Sequence, residues 1–136
     1  MRLFLTILTI LMCLHANKST AQYKQMTKQG NKLYEQKKYK EATDAYMKAL
    51  QKNPTYTPSA FNLGNALYQQ KQYDGTRKVM EQVAKMDTTR AGKSAANYNT
   101  GNTYMAEQKW EEAIEAYKQA LRQNPQDADA KYNLSY

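Results

Sequence analysis

GNTYMAEQKWEEAIEAYKQALRQNP, Gly101 to Pro125, reads as a helix, a short turn and a second helix. Tyr104 and Met105 lie on the first helix. Trp110, Ala113, Ile114, Tyr117, Ala120 and Leu121 recur on the second at the i, i+3, i+4, i+7 spacing of an amphipathic helix. Two helices with one apolar stripe each cannot bury both stripes alone, so copies are expected elsewhere. Gly30 to Pro54 reads GNKLYEQKKYKEATDAYMKALQKNP, and Gly64 opens GNALYQQKQYDGTRKVMEQVAK. Gly30 to Gly64 and Tyr39 to Tyr73 are each 34 residues apart, whereas Gly64 to Gly101 and Tyr73 to Trp110 are each 37. One insertion of three residues near Ala91-Gly92-Lys93 accounts for both offsets.

A 34-residue helix–turn–helix period resembles the tetratricopeptide repeat (TPR), a family of interaction modules. Against its pattern, repeat one supplies Met26, Gln29, Gly30, Leu33, Ala42, Tyr46 and Pro54, and repeat two Ala60, Leu63, Gly64, Leu67, Thr76, Met80 and Thr88. Repeat three supplies Asn97, Thr100, Gly101, Tyr104, Ala113, Tyr117 and Pro125. The resemblance implies an all-α fold, helix–turn–helix repeats stacked as a short right-handed α-solenoid. Repeats are placed at about 23–56, 57–90 and 94–127, and residues 128–136 start either a capping helix or a fourth repeat, since Tyr132-Asn133-Leu134 echoes Phe61-Asn62-Leu63. Repeat two departs from the pattern: Gly75 replaces an acid, Thr76 an alanine and Thr88 a proline. Glycine inside a helix costs about 1 kcal/mol relative to alanine. The second helix of repeat two and its exit turn are therefore expected to be the least stable part, with the fastest hydrogen exchange.

Residues 1–21 differ in kind from residues 22–136. Arg2, a mostly apolar run from Leu3 to Leu14, and Ser19-Thr20-Ala21 before Gln22 have the layout of a cleaved secretory signal peptide. The run is short for a membrane span, which needs about 20 residues. An uncleaved anchor is the alternative; lipidation at Cys13 is disfavoured by the bulky Met12 before it. Cleavage would remove the one cysteine, Cys13, and the one histidine, His15, leaving no thiol nucleophile, imidazole base or disulfide. The formal charge of +8 falls to +6 without Arg2 and Lys18, and its distribution is uneven: +5 over residues 22–56, +3 over 57–93 and −2 over 94–136. An exported chain rarely meets nucleic acid, so the basic front is read either as a solvated face or as attraction to an acidic partner or membrane surface.

In the family, function sits on the concave face lined by the first helix of each repeat. Carried onto this chain, the resemblance selects Asn31 and Tyr34; Phe61, Asn62, Asn65 and Tyr68; and Tyr98, Asn99 and Asn102 as peptide-contacting residues, with Thr27 and Met105 beside them. Asn31, Asn65 and Asn102 each follow the repeat glycine. Asparagine is a mediocre helix former, so three in register ask for a reason. An amide offers donors and an acceptor, which suits an extended peptide backbone, or else bonds between neighbouring helices. Grooves of the family that clamp a C-terminal carboxylate add cations; here Thr27, Ala95 and Asn99 stand in those places, leaving the clamp half present.

Glu111, Glu112 and Glu115 fall on the solvated side of their helix, spaced for pairing with Lys109 and Lys118, and no nucleophile set, phosphate loop or metal cluster accompanies them. The expectation is an exported adaptor that holds a protein or peptide partner in the concave groove, with no catalysis, cofactor, metal or nucleic acid. The leader followed directly by repeats looks similar to the TPR members of bacterial aerotolerance (Bat) operons, which implies a periplasmic place in an envelope complex. The alternative is a membrane-tethered scaffold using an uncleaved N-terminal anchor and the lysine-rich front of Lys24, Lys28, Lys32, Lys37, Lys38 and Lys40.

Overall fold

A computed structural model describes residues 20–135; the leader reading, with Cys13 and His15, lies outside the described residues. Seven helices follow one another among the described residues: α1 (20–35), α2 (Tyr39–Lys52), α3 (Thr57–Gln69), α4 (Tyr73–Met86), α5 (Arg90–Ala106), α6 (Trp110–Gln123) and α7 (Ala128–Leu134). Each helix packs on the next, and contacts between distant elements are few, so the fold is a stack of hairpins, a short α-solenoid. No described helix is long and apolar enough to cross a membrane.

Small residues set the helix crossings. Ala42, Ala49, Ala66, Ala96, Ala113 and Ala120 are fully buried, and larger side chains fill the space between crossings. One core cluster joins Ala42 and Tyr46 of α2 to Leu63 and Ala66 of α3; the next joins Ala60, Met80, Val83 and Ala96 across α3, α4 and α5. A Cβ on Gly30 would stand 2.5 Å from the Tyr46 ring, and one on Gly101 equally close to that of Tyr117. At Gly64 the obstacle is only the Met80 methyl, the free end of a flexible side chain. Trp110 and Ile114, expected in the buried stripe of α6, are instead 50% and 43% exposed.

The turns inside the three repeats share a feature that the sequence conceals. Lys37, Lys71 and Gln108 all adopt the left-handed conformation, with φ of 59°, 58° and 59°. At each, paired backbone bonds close the helix end, as from Lys37 N to the Tyr34 carbonyl and Lys38 N to that of Leu33. Glycine usually takes this place, and none of the three turns has it.

The departures of repeat two are each met by a local substitute. The Thr76 hydroxyl, fully buried, lies 3.3 Å from the Gly64 carbonyl and 3.1 Å from that of Gln72. Asp74 supplies the first-turn acid of α4 that Gly75 does not. Thr88 replaces proline, yet the Asp87 carboxylate accepts from Thr89 N at 2.8 Å, closing the turn as Asn53 and Asn124 close the equivalent ones. The three inserted residues form no loop: they add a helical turn to the start of α5, which has 17 residues against 13 in α3. That turn is capped by the Thr89 hydroxyl, which accepts from Gly92 N at 3.0 Å.

Candidate peptide-binding groove

The in-register asparagines first hold the stack together. Asn62 donates to the Asn31 carbonyl oxygen and Asn99 to that of Asn65, both at 2.9 Å. Asn133 extends the series to Asn102 through a longer contact of 3.5 Å. Each rung joins one repeat to the next, so the asparagines repeat because the stacking repeats. A second bond runs within repeats: the hydroxyls of Tyr46 and Tyr117 donate to Asn31 and Asn102 at 2.9 and 2.8 Å. Met80 occupies the equivalent place in repeat two, so Asn65 receives the ladder bond alone. Burial pushes the phenols of Tyr46 and Tyr117 up to about 12; for Tyr117 the bond from Asn133 pulls slightly the other way.

The ladder uses one end of each amide. Among the described residues, the amino groups of Asn31, Asn65 and Asn102 and the carbonyl oxygens of Asn62 and Asn99 have no protein partner. Several of these face common space. Asn65, Asn99 and Asn102 line a depression of about 350 Å³ with the rings of Tyr34, Phe61 and Tyr68. Asn31, Tyr34, Asn62 and Asn65 line an adjoining one of about 270 Å³, together with Glu35 and Tyr46. Eight of the nine residues selected from sequence thus border one continuous face of α1, α3 and α5. Tyr98 is the exception: its ring packs 5.6 Å from that of Tyr117. Thr27 does not reach the groove either, being buried between α1 and α3 with its hydroxyl 2.6 Å from that of Ser59. Gln69, not selected beforehand, lies exposed on the rim. Tyr34 and Tyr68 are braced by Tyr39 and Tyr73, with ring centroids 5.2 and 5.5 Å apart.

Sequence reasoning also missed a latch between repeats. Gln70 reaches back to the Thr43 hydroxyl at 2.9 Å and the Tyr39 carbonyl at 3.2 Å. One repeat later, Glu107 and Arg77 occupy the same two places and form an ion pair, with Asp74 on the other side of the guanidinium and the Tyr104 ring 4.6 Å below it. The matching register of Thr43 with Arg77 and of Gln70 with Glu107 was the available signal. A depression of about 690 Å³ between α4, α5 and α6 lies beside this latch. Arg77 pairs there with Asp74 and Glu107 and Lys85 with Glu81, while Lys78 and Lys93 form no ion pair among the described residues; the lining carries neither amide rungs nor a cluster of rings.

No group of three His, Cys, Asp or Glu able to hold a metal occurs among the described residues. Glu111, Glu112 and Glu115 are exposed on α6; the partner of Glu115 is Arg122, at 2.5 Å, rather than the expected Lys118. Glycine-following amides, half-buried rings and a shallow trough make a surface for non-covalent contact.

Known proteins share this architecture. The first TPR of Spaghetti (RPAP3), solved bound to the HSP90 peptide SRMEEVD, is 26% identical with a TM-score of 0.74, covering 83% of this chain and 87% of that one. The N-terminal domain of stress-induced protein-1 from C. elegans gives a TM-score of 0.79 at 16% identity, over 86% of this chain and 95% of that one, a likeness of fold. By sequence, the chain is 28% identical over 120 residues to the small glutamine-rich tetratricopeptide repeat-containing protein 2 of Mycosarcoma maydis. The match takes in 88% of this chain but spans only a third (33%) of that relative's length. Two family models, described as tetratricopeptide repeat and TPR repeat, match residues 33–96 and 101–136. With the period, the stacked hairpins and these matches in agreement, the chain belongs to the tetratricopeptide repeat family.

Proposed function

We propose that this protein is an exported adaptor that holds an extended segment of a partner protein along the face of α1, α3 and α5, without transforming it. The observation that carries the reading is the half-used amide ladder. Asn65 and Asn102 offer donors and Asn99 an acceptor, all unsatisfied by protein among the described residues, around a depression ringed by Tyr34, Phe61 and Tyr68. An extended main chain presents alternating donors and acceptors of the same kind, and aromatic rings give large contact area at low entropy cost. The RPAP3 likeness supports the reading, because that domain was solved with a bound peptide.

Asn65→Ala is the informative substitution. It removes one ladder bond and leaves no buried hydroxyl stranded, whereas Asn102→Ala would strand that of Tyr117. Immobilised wild type, Asn65→Ala and Phe61→Ala are compared for the proteins they retain, with thermal melts as fold control. Loss of the same retained partner from both variants, at melting temperatures showing a folded array, is expected. Unchanged retention would move the site to the outer helices or the ends.

Export follows from the leader, and the leader-plus-repeat layout favours a periplasmic envelope complex of the aerotolerance type. Mass spectrometry of the protein recovered from cell fractions tests this: a soluble product starting at Gln22 is expected. A membrane-bound product retaining residues 1–21 would favour the tethered scaffold, for which the exposed Lys24, Lys28, Lys32, Lys37, Lys38 and Lys40 provide a lipid-facing charge.

A further inference from the structure

The groove is chemically unlike the rest of the molecule. The chain carries a formal charge of +8, yet among the residues lining the two adjoining depressions only Glu35 is charged, and it is negative. Glu35 is exposed and makes no ion pair among the described residues. The neighbouring depression brings together the rings of Tyr34, Phe61 and Tyr68, the unused carbonyl oxygen of Asn99 and the exposed amide of Gln69.

We propose that this depression receives a cationic side chain, arginine or lysine, from the extended partner segment. The inference rests on the groove-holding function above and names the chemistry of what is held. Aromatic faces attract cations through their quadrupoles, most strongly where water is partly excluded. The open Asn99 oxygen accepts from guanidinium or ammonium donors, and Glu35, in the adjoining depression, supplies a carboxylate on the same face. An acidic side chain or a terminal carboxylate would find no lysine or arginine in either lining; the open amino groups of Asn31, Asn65 and Asn102 offer it neutral donors only, set against ring faces of the wrong sign and the Glu35 carboxylate. Lys24, Lys28 and Lys32, exposed on α1, pull the other way but line neither depression. At physiological salt the Debye length is about 8 Å, so groups touching the ligand outweigh those lysines once it is seated. A segment whose only charges are acidic is therefore the kind this groove rejects.

The test is selection from a random heptapeptide library with blocked termini on the purified chain, with a blocked hepta-aspartate peptide as the acidic probe. Wild type should enrich arginine or lysine at one position by roughly fivefold over input, the factor expected for one contact-range charge interaction in a solvated setting. The aspartate peptide should not compete. The Gln69 side chain is exposed and makes no hydrogen bond among the described residues, so charge can be placed there without disturbing the stack. Gln69→Lys should abolish the enrichment and Gln69→Glu should increase it. Enrichment of aspartate or glutamate, or a preference for cations that Gln69→Lys leaves unchanged, overturns the proposal. Peptides recovered without charge preference but lost from Phe61→Ala overturn it while leaving the groove-holding function intact. Recovery indifferent to both Phe61→Ala and the Gln69 substitutions, or no recovery at all, overturns both.

Discussion

Replacing the repeat glycines with alanine should give unequal results, and the inequality can be worked out from the structure. An added Cβ on Gly30 would lie 2.5, 2.7 and 2.9 Å from three atoms of the Tyr46 ring. That ring is 1% exposed and tethered through its hydroxyl to Asn31, so it cannot swing away. Overpacking of a rigid site costs about 1–3 kcal/mol, and three contacts this short put Gly30→Ala at the upper end. Alanine returns about 1 kcal/mol through helix propensity, leaving a net loss of about 2 kcal/mol. At Gly64 the sole contact under 3 Å is the Met80 Cε, which can turn aside about three side-chain bonds; its sulfur is already at 3.4 Å. Gly64→Ala should therefore lie within about 0.5 kcal/mol of neutral once propensity is counted. Urea and thermal melts followed by circular dichroism would read the difference; at ~4 °C per kcal/mol for a domain of this size, Gly30→Ala should melt about 8 °C below wild type. In a Tyr46→Met background the cost of Gly30→Ala should largely vanish, a coupling that a double-mutant cycle reports directly. Equal effects of Gly30→Ala and Gly64→Ala, or a cost that persists with Tyr46→Met, would refute the claim that the ring sets the crossing.

Other consequences can be checked in the same melts. Lys37→Gly, Lys71→Gly and Gln108→Gly should each stabilise by about 0.5–1 kcal/mol, because each residue holds a left-handed conformation that glycine adopts without a Cβ clash; three destabilised variants would contradict the turn assignment. Gly75→Ala should gain about 1 kcal/mol and slow hydrogen exchange in α4, since its Cβ would meet only Leu67 Cδ1, at an ordinary 3.5 Å; a loss of stability would mean unrecognised crowding. Tyr46 and Tyr117, raised by burial to about 12, remain neutral in the fold while an unfolded tyrosine ionises near 10. Their contribution is thus complete below pH 10 and lost as pH climbs from about 10 to 12, so tyrosinate absorbance should show a late-titrating pair that appears with unfolding. A single titration near pH 10 with the helices intact would exclude it.

The helical hairpins were legible because their signals are redundant. Glycine, tyrosine and alanine recur in one register, and proline stops the chain twice. Exposure was less legible. Trp110 and Ile114 fit a helical stripe, but periodicity says which residues share a face, not whether another helix arrives to cover it. The insertion before Ser94 could be counted but not shaped; Thr89 makes it helix by capping the added turn. On the groove, residue type and register located eight of nine positions, while the partition of each amide between ladder and open space needed coordinates. Asn31 and Asn65 look equivalent in sequence, and only the different residues at Tyr46 and Met80 make their hydrogen bonding unequal.

The most direct measurement is a ¹H–¹⁵N spectrum of the protein titrated with a library-selected peptide, read at the asparagine side-chain amides. Binding along the inner face predicts saturable shifts of the Asn65, Asn99 and Asn102 amide pairs, while α4 and α6 backbone signals beside the outer 690 Å³ depression stay in place. Saturable shifts confined to those outer helices, with the three amide pairs unmoved, would contradict the account.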